Sequence, residues 1–195
     1  MRIIGGTFRS RQLKSSSKMA LRPTSDRLRE TLFNVIATRV PDSRFLDLFA
    51  GSGAVGIEAI SRGSREAVFV ESHAAAAQLI RANLGLLGIV REARILPVDA
   101  RKALEKLAAE KGSTFDLIFL DPPYAAAEDY ERVLEYLGGS PLVEGDSLVI
   151  VEHRRNFDLS PAYGTLARVR ILRQGDASLS FYRCSPGGLP AGRDS

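Results

Sequence analysis

Hydrophobic and polar positions after Pro41 alternate between short apolar runs and longer segments with helical spacing. The short runs predict strands that are buried on both faces. These strands cover residues 45–49, 67–71, 93–98, 115–121 and 147–151. The predicted helices between them cover residues 54–62, 74–88, 100–111 and 126–138. This repeated order predicts an α/β fold with a mostly parallel sheet and right-handed crossovers.

The C-terminal part of the chain departs from this repeat. Residues 165–173 and 178–184 have the composition of two strands, and residues 174–177 have the composition of a turn. We therefore expect an antiparallel hairpin at one edge of the sheet. We expect a flexible tail over residues 185–195, which is rich in glycine and proline.

The N-terminal part also departs from it. Short alternating segments at residues 2–4, 7–9 and 12–13 predict a small hairpin around Gly5-Gly6. Helical spacing of apolar residues predicts a helix over residues 25–38, with Thr24 as its N-cap. We therefore divide the chain into an N-terminal extension over residues 1–40, an α/β domain over residues 41–184 and the tail.

Charge is concentrated in this extension. Residues 1–30 carry eight basic and two acidic side chains, a net charge of +6, whereas the whole chain has +4. The basic side chains are those of Arg2, Arg9, Arg11, Lys14, Lys18, Arg22, Arg27 and Arg29. A basic arm on a nearly neutral body favours a polyanionic partner such as nucleic acid. A solvated or disordered basic tail explains the charge equally well.

Other composition features exclude several classes of protein. No segment approaches the ~20 apolar residues of a membrane span, and the N-terminus has no signal-peptide core. Cys184 is the only cysteine, so an intrachain disulfide and a cysteine metal cluster are excluded. His73 and His153 have no cysteine pair nearby and make no metal site. We expect a cytoplasmic protein without a bound metal.

A glycine-rich motif follows the first predicted strand. Residues 47–56, DLFAGSGAVG, contain the spacing G-x-G-x-x-G between a strand and a helix. Glycines there permit a tight turn and the close approach of a ligand to the backbone. Glu71 ends the next strand, 20 residues after Gly51, where a carboxylate can accept hydrogen bonds from ribose hydroxyls. The combination indicates a nucleoside cofactor.

The acidic residue Asp47 helps to choose the cofactor. An anion beside the glycine loop opposes a pyrophosphate and suits a cation, which favours S-adenosylmethionine over NAD. Asp99 follows the third strand, where its side chain or the Ala100 N–H can contact an adenine edge, and Asp99 can also cap the next helix. The predicted cofactor-binding residues are Asp47, Phe49, Ala50, Gly51, Ser52, Gly53, Gly56, Glu71, Asp99 and Ala100.

A stiff turn, Asp121-Pro122-Pro123-Tyr124, ends the fourth predicted strand. Both prolines have fixed φ angles, so the turn has few conformations to lose on folding. In the usual doubly wound order the first and fourth strands are neighbours. The glycine loop and this turn would then face each other across one crevice.

Together, the glycine loop and Asp-Pro-Pro-Tyr resemble the S-adenosylmethionine-dependent methyltransferases that act on exocyclic amino groups. Further motifs resemble the RsmD family, bacterial methyltransferases that modify a guanine N2 of 16S ribosomal RNA. These motifs are RIIGG at residues 2–6, RPTSDRLRE at 22–30, LFN at 32–34 and SFYR at 180–183. The resemblance covers residues 1–184 and implies a Rossmann-like methyltransferase domain over residues 41–184.

The resemblance also implies roles. Asp121 and the backbone of Pro122 and Pro123 would accept hydrogen bonds from the target amino group, with Asp121 orienting it rather than acting as a strong base. Tyr124 would stack on the base, which must be unpaired or flipped. Neither a metal nor a covalent nucleophile is needed.

The implied partner is 16S ribosomal RNA, in the small subunit or an assembly intermediate, and we expect a monomer. The residues expected on the RNA backbone are Arg2, Arg9, Arg11, Arg22, Arg27 and Arg29. Arg154 and Arg155 either line the same face or are a solvated pair. Alternatives are adenine-N6 methylation of DNA or RNA, a non-catalytic RNA-binding assembly factor, and an NAD-dependent dehydrogenase.

Overall fold

The computed structural model describes residues 1–15, 25–123 and 127–185. Within these residues the strands form one eight-stranded sheet in the order β3-β2-β1-β4-β5-β8-β7-β6. The strands are β1 Arg44–Leu48, β2 Glu66–Val70, β3 Ala93–Leu96, β4 Leu117–Leu120, β5 Leu148–Arg154, β6 Ala162–Tyr163, β7 Leu166–Gln174 and β8 Ala177–Cys184. Strands β1 to β5 are parallel, and β6, β7 and β8 extend the sheet with antiparallel pairing. The predicted fold class is confirmed.

Helices cover both faces of this sheet. They are α1 Asp26–Val35, a 3-10 turn Ala37–Arg39, α2 Ala54–Ser61, α3 Ala74–Leu87, α4 Ala100–Ala108 and α5 Ala127–Leu137. Alternate residues of each strand point to opposite faces. Phe45 and Phe119 therefore pack with α1, α2 and α3. Leu46 and Leu120 pack with α4 and α5 on the other face.

The strand register aligns the carboxyl ends of the central strands. Leu48 pairs with Val70 of β2 on one side and with Leu120 of β4 on the other. The residues that follow these strands, Phe49, Glu71 and Asp121, consequently leave the sheet at the same edge. The predicted adjacency of the first and fourth strands is confirmed, and it brings the glycine loop and the Asp-Pro-Pro turn together.

The N-terminal segment differs from the predicted small hairpin. Its β pairing is limited to an isolated antiparallel bridge between Arg2 and Gln12, and residues 7–9 form a turn. The Thr7 N–H donates to the Ser61 carbonyl at 2.7 Å, and the Phe8 N–H donates to Ser61 Oγ at 3.0 Å. This turn therefore bonds to the end of α2 instead of pairing as a strand.

Helix α1 is shorter than predicted and begins one residue later. Ser25 is the N-cap, because its hydroxyl accepts from the Leu28 N–H at 3.1 Å. The predicted cap Thr24 lies outside the described residues. Apolar side chains of the extension, including Ile3 and Leu32, lie in the same buried cluster as Phe45 of β1. The extension and the sheet thus share one hydrophobic core.

The remaining features of the fold concern the tail and the surface. Residues 186–195 of the predicted tail lie outside the described residues. In the part of the chain that the structure describes, no helix has the length and apolar character needed to cross a membrane.

Candidate active site

A cavity of about 720 Å³ opens at the carboxyl edge of the sheet and continues between α4 and α5. This volume lies within the range of small-molecule sites, roughly 300–1,000 Å³. Of the predicted cofactor residues, Phe49, Asp99 and Ala100 line it. Other lining residues, which the motif analysis missed, are Val70, Ser72, Val98, Leu104, Val133 and Tyr136. The remaining lining residues are charged, namely Arg101, Glu105, Asp129, Arg132 and Glu135, so the cavity combines apolar walls with polar and charged ones.

The glycine loop has left-handed backbone at three positions, with φ of +63° at Phe49, +55° at Gly51 and +78° at Gly53. Phe49 is not a glycine, so its positive φ is a strained conformation of the kind that clusters at functional sites. The Ala50 N–H donates to the Val70 carbonyl at 2.9 Å, which fixes the loop to β2. The backbone here is held in one arrangement beside the cavity.

Asp47 lies behind the glycine loop rather than in the cavity. Its side chain is buried and accepts from the Gly56 N–H at 2.8 Å, in the first turn of α2. Burial is the main cause that raises the pKa of Asp47 to about 7, and the nearby Glu71 carboxylate adds to it. Asp47 therefore positions the loop, and its contact with a cofactor stays a prediction.

Gly56 is needed for packing and not for ligand approach. A Cβ atom at this position would lie 2.3 Å from Cε1 of Phe69. The third glycine of the motif therefore lets α2 pack closely on β2, which is one of the roles expected for it.

Glu71 connects the glycine loop to the turn after β2. Oε2 accepts from the Gly51 N–H at 2.9 Å, and Oε1 accepts from the His73 N–H at 2.8 Å. The residue is 6% exposed. Because a carboxylate has about four acceptor sites, these bonds leave capacity for a ribose hydroxyl. That role stays a prediction.

Asp99 caps helix α4. Its Oδ1 accepts from the Lys102 N–H at 3.0 Å, and this bond is the main cause that lowers the pKa of Asp99. The residue also lines the cavity, together with Ala100. Both interpretations of this aspartate, as a helix cap and as a wall of the site, therefore fit one position.

The Asp-Pro-Pro turn leaves β4 next to the glycine loop. Asp121 is half-buried, Pro122 is buried and Pro123 is exposed. Tyr124 lies outside the described residues, so its stacking role stays a prediction. Leu120 pairs with Val151 of β5, which places the buried Glu152 on the strand beside Asp121. Sequence reasoning missed Glu152, although an acid at the end of an apolar strand was its visible signal.

Comparisons with known proteins agree with this geometry. The family described as "Conserved hypothetical protein 95" matches residues 1–183. Ribosomal RNA small subunit methyltransferase D of Escherichia coli strain K12 is 36% identical over 176 residues, which are 89% of this chain and 86% of that protein. This chain belongs to the RsmD family. The resemblance of its motifs to that family is confirmed.

Solved structures have the same fold as this RsmD-family chain. A hypothetical protein of Thermus thermophilus, TTHA0928, has a TM-score of 0.80 and 34% identity, and the match covers 94% of this chain and 99% of that one. SMU.776 complexed with SAH has a TM-score of 0.65 and 13% identity, with 79% of this chain and 48% of that chain covered. At such low identity the second likeness shows the fold alone.

The basic residues of this RsmD-family protein divide into two groups. Arg2, Arg9, Arg11 and Arg27 are exposed, as an RNA contact requires, whereas Arg22 lies outside the described residues. The prediction for Arg29 is wrong. Its side chain is 0% exposed and donates to the Arg2 carbonyl at 2.6 Å and to Asp26 at 3.0 Å. The position of Arg29 on α1 directs its side chain toward the core.

A buried carboxylate explains why Arg29 lies there. Glu58 of α2 is 0% exposed and lies 3.8 Å from Arg29 Nε. It also accepts from the backbone N–H groups of Ile4 and Gly5, each at 2.8 Å, and from Arg62 Nε at 2.7 Å. The sequence signal for this cluster was a single acid in an otherwise apolar helix.

A second buried polar residue connects the N-terminal arm to the glycine loop. Asn83 of α3 is 0% exposed, and its Oδ1 accepts from the Lys14 N–H at 2.8 Å. Its Nδ2 donates to the Lys14 carbonyl at 3.2 Å and to the Ser52 carbonyl at 3.0 Å. One side chain therefore holds both the end of the described arm and the glycine loop.

The histidines lie apart from one another. His73 is exposed, and His153 is buried between β5 and β8, where Nε2 lies 2.9 Å from Ser180 Oγ. Burial is the main cause that lowers the pKa of His153. In the described ranges, no three His, Cys, Asp or Glu residues are grouped so that they could hold a metal ion.

Proposed function

We propose that this RsmD-family protein transfers a methyl group from S-adenosyl-L-methionine to the exocyclic N2 amino group of a guanine in 16S ribosomal RNA. The observation that carries the proposal is the pairing of β1 with β4, which puts the glycine loop and the Asp121 turn at one edge. This arrangement occurs in a chain that is 36% identical to an enzyme named ribosomal RNA small subunit methyltransferase D. The protein is thus an enzyme that methylates ribosomal RNA.

The residues at the edge fit the cofactor. Phe49, Val98 and Ala100 give an apolar wall for an adenine. The ribose hydroxyls are assigned to Glu71, which holds the Gly51 N–H of the glycine loop. The Asp47 side chain of β1 already bonds to the first turn of α2, where a phosphate would bind, and SMU.776, which has a related fold, was solved in complex with SAH. When bound, S-adenosylmethionine supplies a methyl group activated by its positively charged sulfur.

The chain then has to present the amino nitrogen to that methyl group. The lone pair of a guanine amino group is delocalised into the ring, so the group is a poor nucleophile. Asp121 accepts a hydrogen bond from it, and the fixed backbone of Pro122 and Pro123 offers carbonyl acceptors. These acceptors favour a nitrogen geometry with the lone pair in line with the methyl group. The nitrogen would gain the methyl carbon as the bond from that carbon to sulfur breaks, and the proton lost by the nitrogen would pass along its hydrogen bond to Asp121 and on to solvent. Tyr124 stacks on the base and fixes its plane.

The exposed arginines of the extension bind the RNA backbone. Arg2, Arg9, Arg11 and Arg27 form this group, and Arg22 is assigned to it from the sequence alone. Residues 1–40 thus serve as an RNA-contacting extension, and residues 41–184 carry the chemistry. The protein acts in the cytoplasm as a monomer, on the small subunit or an assembly intermediate.

The experiment that tests the proposal is methyl transfer from labelled cofactor to small ribosomal subunits that lack the modification. Digestion to nucleosides followed by mass analysis should find the label in N2-methylguanosine. Label in N6-methyladenosine would show that the target base is adenine instead of guanine. Protein that binds RNA but not S-adenosylmethionine would favour a non-catalytic assembly factor.

Asp121→Ala tests the role of the carboxylate. We expect kcat to fall by about 10²–10³-fold, the range for the loss of one preorganised hydrogen-bonding group. Cofactor affinity in calorimetry should stay within a few-fold. Glu144→Ala, which changes an exposed carboxylate before β5, is the control. Near-normal turnover in Asp121→Ala would refute the orienting role.

A further inference from the structure

The tip of the β7–β8 hairpin carries a group of arginines that the proposed function does not use. Arg154 ends β5 and pairs with Ala177, and Arg173 of β7 pairs with Ser178. The Arg155 N–H donates to the Asp176 carbonyl at 2.8 Å, which places Arg155 against the turn between β7 and β8. All three arginine side chains are exposed. We call Arg154, Arg155 and Arg173 the hairpin-tip arginines.

These arginines lie at the same edge of the sheet as the Asp-Pro-Pro turn that begins at Asp121, which we call the catalytic turn. Strands β4 and β5 are parallel, with Leu120 paired to Val151, so the end of β5 projects beyond Asp121 on the neighbouring strand. Strand β7 lies two strands beyond β5 in the sheet, on the side away from β4, and it ends at the same edge as β5. With a strand spacing of about 4.8 Å, the group lies roughly 5–15 Å to one side of Asp121.

The N-terminal arm lies on the other side of the catalytic turn. Lys14 is held by Asn83 next to Ser52 of the glycine loop, and Arg11 donates to the Leu86 carbonyl of α3 at 3.3 Å. The glycine loop follows β1, which adjoins β4 on the side away from β5. An RNA strand with its target base in the crevice would therefore pass from one basic group to the other.

The chemistry of the group suits phosphate. Guanidinium groups bind phosphate oxygens in a bidentate manner and keep their charge at every physiological pH. Among the described residues, no ion pair engages Arg155 or Arg173. The exposed acid in the same turn, Asp176, reduces the local charge but leaves it positive.

We propose that the hairpin-tip arginines form a second RNA-backbone site, which holds the nucleotides on the side of the target base opposite the N-terminal arm. This inference rests on the proposed function, because it takes an RNA substrate as given. The arginines bind the ground state and the transition state equally. Their loss therefore raises KM and leaves kcat unchanged.

The test compares two double variants with the same change of charge. Arg155→Gln with Arg173→Gln removes two hairpin-tip charges and leaves Arg154 in place. Arg65→Gln with Arg91→Gln removes two exposed charges from the opposite edge, where these residues precede β2 and β3. Binding to unmodified small subunits is measured as a function of salt, and turnover is measured as KM and kcat.

Two lost phosphate contacts reduce the slope of log affinity against log salt by about 1.4–1.8. Between 50 and 200 mM salt, wild-type affinity should therefore fall about tenfold more than that of the hairpin-tip variant. The control should keep the wild-type slope, and Arg155→Lys with Arg173→Lys should restore it. Equal slopes for the two glutamine variants would overturn the inference, as would a loss of kcat without a rise in KM.

The binding experiment needs no turnover. If wild-type protein bound the subunits but methylated nothing, the proposed function would fail while the salt slopes still decided the second site. If methylation occurred and the slopes matched, the second site alone would fail.

Discussion

The buried carboxylate of Glu58 should be among the side chains on which the fold depends most strongly. Glu58→Gln keeps the shape of the side chain and removes its charge. In the wild type, Oε1 accepts from Gly5 N–H and Arg62 Nε, and Oε2 accepts from Ile4 N–H and faces Arg29. The glutamine oxygen can replace only one of these two acceptors, so its NH₂ group must face donors.

The cost can be worked from these contacts. The best arrangement keeps the bonds to Gly5 and Arg62 and loses the bond to Ile4. A lost hydrogen bond to a charged group costs about 1.5–3 kcal/mol. Arg29 also loses its buried counter-ion and keeps only Asp26, which is 49% exposed, as an anionic partner. Breaking a buried ion pair costs about 3–5 kcal/mol, so we expect a total near that range.

Unfolding should be followed by circular dichroism in urea, because the chain has no tryptophan. For a chain of this size, about 3–5 kcal/mol corresponds to a melting temperature lower by roughly 6–20 °C. Glu105→Gln is the control, since it breaks an exposed pair with Arg101 and should cost at most about 0.5 kcal/mol.

A double-mutant cycle tests the cause of the loss. Arg29→Met should cost much less in the Glu58→Gln background than in the wild type, because the charge that Arg29 balances is already gone. A loss below about 1 kcal/mol in Glu58→Gln, or additive costs in the cycle, would refute the argument from buried charge.

Three further changes test the cofactor loop. In the wild type, the unfolding free energy should fall by about 3–5 kcal/mol as the pH rises from about 4 to about 7, because the fold favours the protonated form of Asp47 and that form is lost over this range. Asp47→Asn should remove this fall, and urea unfolding at several pH values measures it. Gly56→Ala should cost about 1–3 kcal/mol, as its Cβ meets Phe69, whereas Gly85→Ala, with nothing within 4 Å, should not destabilise. Asn83→Leu should speed tryptic cleavage of the arm and weaken cofactor binding in calorimetry; unchanged values of both would exclude the clamp.

Much of the architecture could be predicted from the sequence because it depends on local patterns. Buried parallel strands have continuous apolar runs, and the residues 117–120 show this clearly. The glycine spacing and the double proline also act locally, through backbone freedom and its restriction. The usual doubly wound order makes the first and fourth strands neighbours, and so the meeting of the glycine loop with Asp121 was foreseen.

The errors concern contacts between distant parts of the chain. Arg29 has the same side chain as Arg27, and only the burial of Glu58, 29 residues away, makes one of them a core residue. Residues 7–9 alternate like a strand, yet they bond to Ser61. Asp47 was interpreted through its charge, whereas burial raises its pKa and gives it a hydrogen-bonding role. In each case a contact that the local sequence pattern does not show decided the outcome.

These distant contacts join the two functions that the chain has to combine. The first turn of α2 holds the cofactor loop through Gly56 and Asp47, and its last turns hold the N-terminal segment through Glu58 and Ser61. Asn83 of α3 makes a second connection of this kind, because it bonds to both Lys14 of the arm and Ser52 of the glycine loop. A displacement of the arm must therefore move the same helix that shapes the cofactor loop. In the proposed function, RNA binds the arm and the cofactor binds the glycine loop, so both ligands contact parts that α2 holds. Any effect of RNA on cofactor affinity must then equal the effect of cofactor on RNA affinity, and calorimetry with each ligand in the presence of the other measures both.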